Sequence, residues 1–234
     1  MEHKRLTLFA GHYGSGKTNI AVNYALHLAK TGKPVCIADL DIVNPYFRTK
    51  DSAKELEAAG VTLVSPQFAN SNVDLPALPA EAYRLVQDKN TYGIMDIGGD
   101  DRGAYALGRY VPAIKAENNY RMVFVANCYR PLTRTPEEAL EVMGEIEAAC
   151  GLQFTDIINN ANLGPETTPD MVLDAVPYME KLSELSGLPI FAHAAEISVA
   201  QGLAGKLSPV ISLQLQEKYF DLPSQRPGNR PLWG

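Results

Sequence analysis

The residues Gly11-His12-Tyr13-Gly14-Ser15-Gly16-Lys17-Thr18 fit the pattern G-x-x-x-x-G-K-[ST]. Glycines at these spacings let backbone N–H groups turn inward around phosphate oxygens, and a helix opening at the end of the pattern adds its positive dipole end. Lys17 can reach the β- and γ-phosphates of a nucleoside triphosphate, and the Thr18 hydroxyl is an oxygen ligand of the kind Mg²⁺ takes. Average residue usage yields such a match by chance in roughly one chain in a hundred of this length. Here the pattern also directly follows the apolar run Leu6-Thr7-Leu8-Phe9-Ala10 and opens a helical stripe, which is the context it requires.

Two acidic groups fall where ligands of an open α/β sheet sit, beyond the carboxyl ends of strands. Asp39 and Asp41 follow the second apolar run, in Ala38-Asp39-Leu40-Asp41. Asp96 closes another, in Ile94-Met95-Asp96-Ile97-Gly98-Gly99-Asp100-Asp101. Asp96 suits the role of holding Mg²⁺ through water, Asp39 that of a second metal-side carboxylate, and Asp41 that of orienting an attacking water. No Ser/His/Asp triad pattern and no H-E-x-x-H motif arises among the four histidines, His3, His12, His27 and His193.

The elements that must carry these residues alternate along the chain. Strands are expected over 5–10, 34–38, 61–65, 92–97, 120–127, 154–159 and 189–193. Helices are expected over 18–30, 50–59, 80–89, 104–117, 136–150 and 169–186, the last bent or broken by Pro177. Strand–helix alternation of this kind predicts an α/β fold: a mostly parallel central sheet of about seven strands with helices on both faces and right-handed crossovers. Residues 66–79, with Pro66, Pro76 and Pro79, read as an irregular segment near the site. One nucleotide-binding domain is expected across 1–234, with 220–234 an extended tail.

Composition narrows the partners. With 234 residues and 46% apolar content the chain can bury a large core. Its 21 basic and 27 acidic residues leave a net charge of −6, which argues against nucleic acid or an anionic membrane as the main partner. The segment 209–219 has an apolar face but Lys218 as its one cation, which argues against stable membrane anchoring. Three isolated cysteines, Cys36, Cys128 and Cys150, form no C-x-x-C pair, and the early apolar run is too short for a signal peptide, so a cytoplasmic protein is expected.

With these motifs in this order, the chain resembles the MinD/ParA/CobQ–CobB-like group of SIMIBI-class P-loop NTPases, over residues 5 to about 205. That resemblance implies a switch I aspartate at Asp41, a switch II loop at 98–102, and base contact by Asn159. It also implies ATP and Mg²⁺ as cofactors, a nucleotide-dependent homodimer, and a protein client. The chain departs from the group at His12, where many members carry a signature lysine that reaches the partner's nucleotide. Histidine is shorter and mostly neutral at pH 7. Either hydrolysis is slow or another cation serves, with Arg48 and Arg102 as candidates; Arg130 and Arg134, after the fifth strand, are placed to line the opposite wall of the nucleotide site. The tract Asn159-Asn160-Ala161-Asn162 sits where related GTPases place N-K-x-D. Asn162 replaces the aspartate that would accept two guanine N–H groups, and a neutral amide is the poorer acceptor, so ATP is expected over GTP.

The leading functional expectation is an ATPase switch acting on a protein client. The alternative is a small-molecule kinase or an amide-forming enzyme of the dethiobiotin synthetase type, and the third a nucleotide-binding scaffold that hydrolyses almost nothing. An iron–sulfur carrier like nitrogenase iron protein is disfavoured, because residues 98–103 hold no cysteine.

Overall fold

Eight short apolar runs form one sheet: β1 (Leu6–Ala10), β2 (Val35–Leu40), β3 (Val61–Val64), β4 (Tyr92–Ile97), β5 (Tyr120–Ala126), β6 (Asp156–Asn159), β7 (Ile190–Glu196) and β8 (Val210–Leu213). The computed structural model describes residues 3–40, 52–64, 80–98 and 101–215, with backbone alone at 80–82 and 101–103. The strand order is β3-β2-β4-β1-β5-β6-β7-β8, and every pairing is parallel. β1 and β2 are buried at every position, as expected of strands covered on both faces.

The helices are α1 (Lys17–Ala29), α2 (Ala53–Ala58), α3 (Ala80–Gln87), α4 (Asp101–Gly108), α5 (Val111–Glu117), α6 (Pro136–Cys150), α7 (Pro169–Asp174), α8 (Val176–Ser186) and α9 (Ile197–Gly202). The two-residue period of the strands sorts them into two layers. Leu6, Leu8 and Ala10 face a core shared with α3, α4, α5, α6 and α8, whereas Phe9, Ile37, Ile94, Val123 and Val125 face one shared with α1 and α2. A smaller cluster of Val172, Ala195, Val199, Ala200 and Leu203 seats α7 and α9.

Several boundaries differ from the sequence reading. The single helix expected over 104–117 is two, because Pro112 lies in the first turn of α5, where its missing N–H costs nothing, and its ring cannot follow a continuous helix through Gly108. The expected break near Pro177 falls at Ala175, which separates α7 from α8. Asp39 does not follow β2 but lies inside it, because β2 stays paired with β4 as far as Leu40↔Ile97. An eighth strand was not expected: Val210–Leu213, taken in the sequence as part of an apolar-faced segment, pairs with β7 from His193↔Val210 to Glu196↔Leu213. The segment 66–79 and the tail 220–234 lie outside the described residues.

At the amino-terminal edge of the sheet a buried arginine fixes where β1 enters. Arg5 Nη1 donates to the carbonyls of Leu85 (2.7 Å), Asp88 (3.0 Å) and Thr91 (3.2 Å). Its other guanidinium nitrogens engage the Glu117 carboxylate, which also accepts from Lys89 Nζ at 2.6 Å. These bonds, Arg5 first, hold the Glu117 carboxyl below its usual range against the opposing effect of burial. A carboxyl lowered in the folded state contributes stability above its unfolded pKa and loses it as pH falls through the folded one. Glu117→Ala should therefore cost about 2–3 kcal/mol near neutral pH, somewhat below a fully broken buried pair because Arg5 keeps three carbonyls. The cost should shrink on acidification below the ordinary carboxylate range. Urea unfolding at neutral and acidic pH measures both, and an equal cost at the two would remove the ion pair as the cause.

Candidate phosphate-binding site

β1 ends in Ala10, and the chain turns through 11–16 before α1 begins at Lys17. Ser15, wholly buried, donates its N–H to the His12 carbonyl at 3.1 Å, and Lys17 Nζ reaches back to the same carbonyl at 3.3 Å. Gly16 then enters the helix at φ +93°, a left-handed conformation that side chains rarely adopt. A second constraint acts there: a methyl on Gly16 would stand 2.2 Å from Nδ2 of Asn160. That amide, 3% exposed at the end of β6, donates to the Ser15 carbonyl at 2.6 Å and straps the turn to the sheet. Asn160 has no role in the sequence reading, because its partner is 145 residues away.

The amino-terminal end of α1 has no side-chain cap and no acidic residue in its first turn. A helix start without a side-chain cap or an acidic residue of its own presents its backbone N–H groups and positive dipole end as an anion requires. Thr18 sits in this turn and donates its hydroxyl to Asp96 Oδ2 at 2.6 Å. Asp96 and Asp39 are register partners on β4 and β2, and both are almost fully buried. The shared parity of Asp39 with Ile37 and of Asp96 with Ile94 turns both toward the α1 layer. A hydroxyl and two carboxylates at one sheet edge form an all-oxygen donor set that fits Mg²⁺ completed by phosphate and water. Among the described residues no group of three or more His, Cys, Asp or Glu assembles as a metal site, so this edge offers two carboxylates and a hydroxyl.

His12 is half-buried, with Nδ1 3.1 Å from the Tyr13 carbonyl, and burial lowers its pKa below the usual 6.5. It is neutral at pH 7 and cannot stand in for a lysine. Tyr13 is 53% exposed. Asn159, 1% exposed, spends its amide inside the fold: Nδ2 donates to His193 Nδ1 at 3.1 Å and Oδ1 accepts from Ala161 N at 2.9 Å. His193, with its pKa lowered by burial, is the neutral acceptor that this bond requires. Asn162 Oδ1 accepts from Gly164 N at 2.6 Å, and its carbonyl accepts from Asn127 Nδ2 at 3.0 Å. The asparagines thus brace the turn after β6. Asp41 and Arg48 lie outside the described residues, as do residues 99–100 and the Arg102 side chain.

The Gly16–Asn160 contact separates two costs that a substitution would combine. Gly16→Ala should lower stability by about 2–4 kcal/mol, from the left-handed backbone and the clash together. Asn160→Ala in the same chain should recover the clash component alone. A double-mutant cycle by chemical denaturation reads this directly, and strict additivity of the two changes would show that they do not meet.

No protein-family model and no curated protein sequence matches the chain. Solved structures do match it. The cell division protein FtsY from Thermotoga maritima is 19% identical with a TM-score of 0.53, covering 81% of this chain and 60% of that one. FtsY from Mycoplasma mycoides is 18% identical at 0.53, covering 80% and 58%. The signal recognition particle receptor FtsY from Elizabethkingia anophelis, in complex with GDP, is 15% identical at 0.50, covering 81% and 57%. The chain therefore spans less than two thirds of the length of these proteins, and at such identities the likeness is one of fold. By that architecture, this chain shares its parallel α/β fold with these FtsY structures.

Proposed function

We propose that the chain is a Mg²⁺-dependent ATP-binding switch of the MinD/ParA type that passes its nucleotide state to a protein client. The observation that carries the reading is the uncapped, acid-free start of α1 with Thr18 bonded to Asp96 beside it. A helix terminus prepared for an anion and a hydroxyl–carboxylate pair prepared for a cation meet at one turn. In this role the amides of 11–18 cradle the phosphates and Lys17 offsets their charge. Thr18, with Asp39 and Asp96, holds Mg²⁺, which when bound stabilises negative charge on the phosphate oxygens. Asp41, just beyond Leu40, orients the attacking water.

The GDP held by the Elizabethkingia protein favours a guanine nucleotide as the second reading. Adenine is preferred because Asn162 presents a neutral amide where a carboxylate would take two guanine donors, and that amide is already bonded to Gly164. ATP should displace a fluorescent ATP analogue at concentrations where GTP does not; equal displacement would reverse the preference.

Lys17→Ala should abolish triphosphate binding with the fold retained, and unchanged affinity would defeat the site. Light scattering with Mg²⁺-ATP and then Mg²⁺-ADP tests the switch. A larger mass with ATP supports nucleotide-dependent self-association. The same mass in both, together with ADP formation that depends on an added metabolite, would instead identify a small-molecule kinase or ligase.

A further inference from the structure

After β5 the chain crosses the site edge of the sheet before α6 begins. This crossing is stiff. Asn127, 1% exposed, accepts at its carbonyl from Arg130 N (3.0 Å) and Thr133 Oγ1 (2.8 Å), and at its side chain from Tyr129 N (3.1 Å). Its Nδ2 ties the crossing to the turn after β6. Beyond it, Thr135 and Glu138 close a capping box at the start of α6.

From this crossing Arg130 lies over the phosphate loop. A methyl on Gly14 would stand 3.6 Å from Nε and 3.7 Å from Cζ of its guanidinium. Gly14 has φ +74°, a left-handed turn that favours glycine, and the guanidinium lies at van der Waals distance from the space its Cβ would occupy. Nε is buried but has no hydrogen-bond partner, and no carboxylate pairs with Arg130 among the described residues. Buried N–H donors in folded proteins are nearly always paired. Residues 11–17 carry no carboxylate to answer this one.

We propose that Arg130 binds the phosphate chain, supplying in cis a second cation beside Lys17. The inference rests on the nucleotide reading above, and its ligand class is a nucleoside di- or triphosphate. His12, neutral at the loop, cannot serve. A guanidinium presents a planar fork of donors that matches phosphate oxygens and keeps its charge at any working pH.

The test measures equilibrium affinity for Mg²⁺-ATP, with melting temperature, in the parent, Arg130→Met, Arg130→Lys and Lys17→Ala. Methionine keeps the apolar stem and lysine keeps the charge. Arg130→Met should lose roughly tenfold to a hundredfold in affinity, while Arg130→Lys loses less. Arg130→Met within twofold of the parent, when Lys17→Ala abolishes binding, would leave Arg130 a packing residue and overturn the proposal alone. So would equal losses in the methionine and lysine variants accompanied by a lowered melting temperature. A parent that binds no nucleotide at all would remove this inference and the proposed function together.

Discussion

The structure depends on one electrostatic arrangement: the positive end of α1, without a cap or an acidic residue of its own, lies at the carboxyl edge of an all-parallel sheet. Parallel pairing sends every strand-to-helix connection to that edge. The chain leaves β1 toward β2 and β3 on one side, and later returns past β1 to β5 through β8 on the other. The turn after β1 is therefore flanked by connections running opposite ways, and what they carry converges on it. Asp39 and Asp96 arrive from one side, Asn127, Arg130 and Asn160 from the other. A capped or acidic first turn in α1 would satisfy the helix internally and leave these groups no common ligand.

The second layer behind the turn is built from amides rather than charges, and the reason is desolvation. Asn127, Asn159 and Asn160 are each at most 3% exposed. An ionised group there would need a partner to offset its burial, whereas an amide supplies a donor and an acceptor without carrying charge. Asn160 uses its donor to fix Ser15, and Asn159 uses both functions to lock His193 and Ala161. Charge is thereby kept for Lys17, Asp39 and Asp96 at the turn after β1. The Arg5–Glu117 pair lies at the opposite edge, where it sets strand entry away from the candidate site.

How far the sequence reveals this differs between parts of the chain. The turn at 11–16 and the helix it opens are legible because the pattern and its strand–helix setting are contiguous. Asp96 is legible because it closes an apolar run. The division of α4 from α5 was available in Pro112 but was masked by the continuous apolar stripe around it. β8 was hidden because Val210–Leu213 reads as part of the longer apolar-faced segment 209–219. The strap from Asn160 to Ser15 could not be read from sequence, because it joins residues 145 positions apart, whereas Arg130 is expected at the wall of the site from its place after the fifth strand, though not against Gly14 in particular.

The distribution of cations bears on what self-association would do. Where a lysine at the second loop position reaches a partner's nucleotide, charge neutralisation and pairing are one event. Here that position is a half-buried neutral histidine, and Arg130 approaches the loop from the same chain. With Arg130 binding phosphate, one chain offsets its nucleotide's charge unaided, and affinity for ATP need not rise with protein concentration. A second copy would then be recruited by the surface that the nucleotide orders, including the exposed Tyr13 at the loop itself, rather than by the charge of the nucleotide. On the proposed reading, binding and pairing would be separable steps, linked through the difference between ATP and ADP in their affinity for the pairing-competent state.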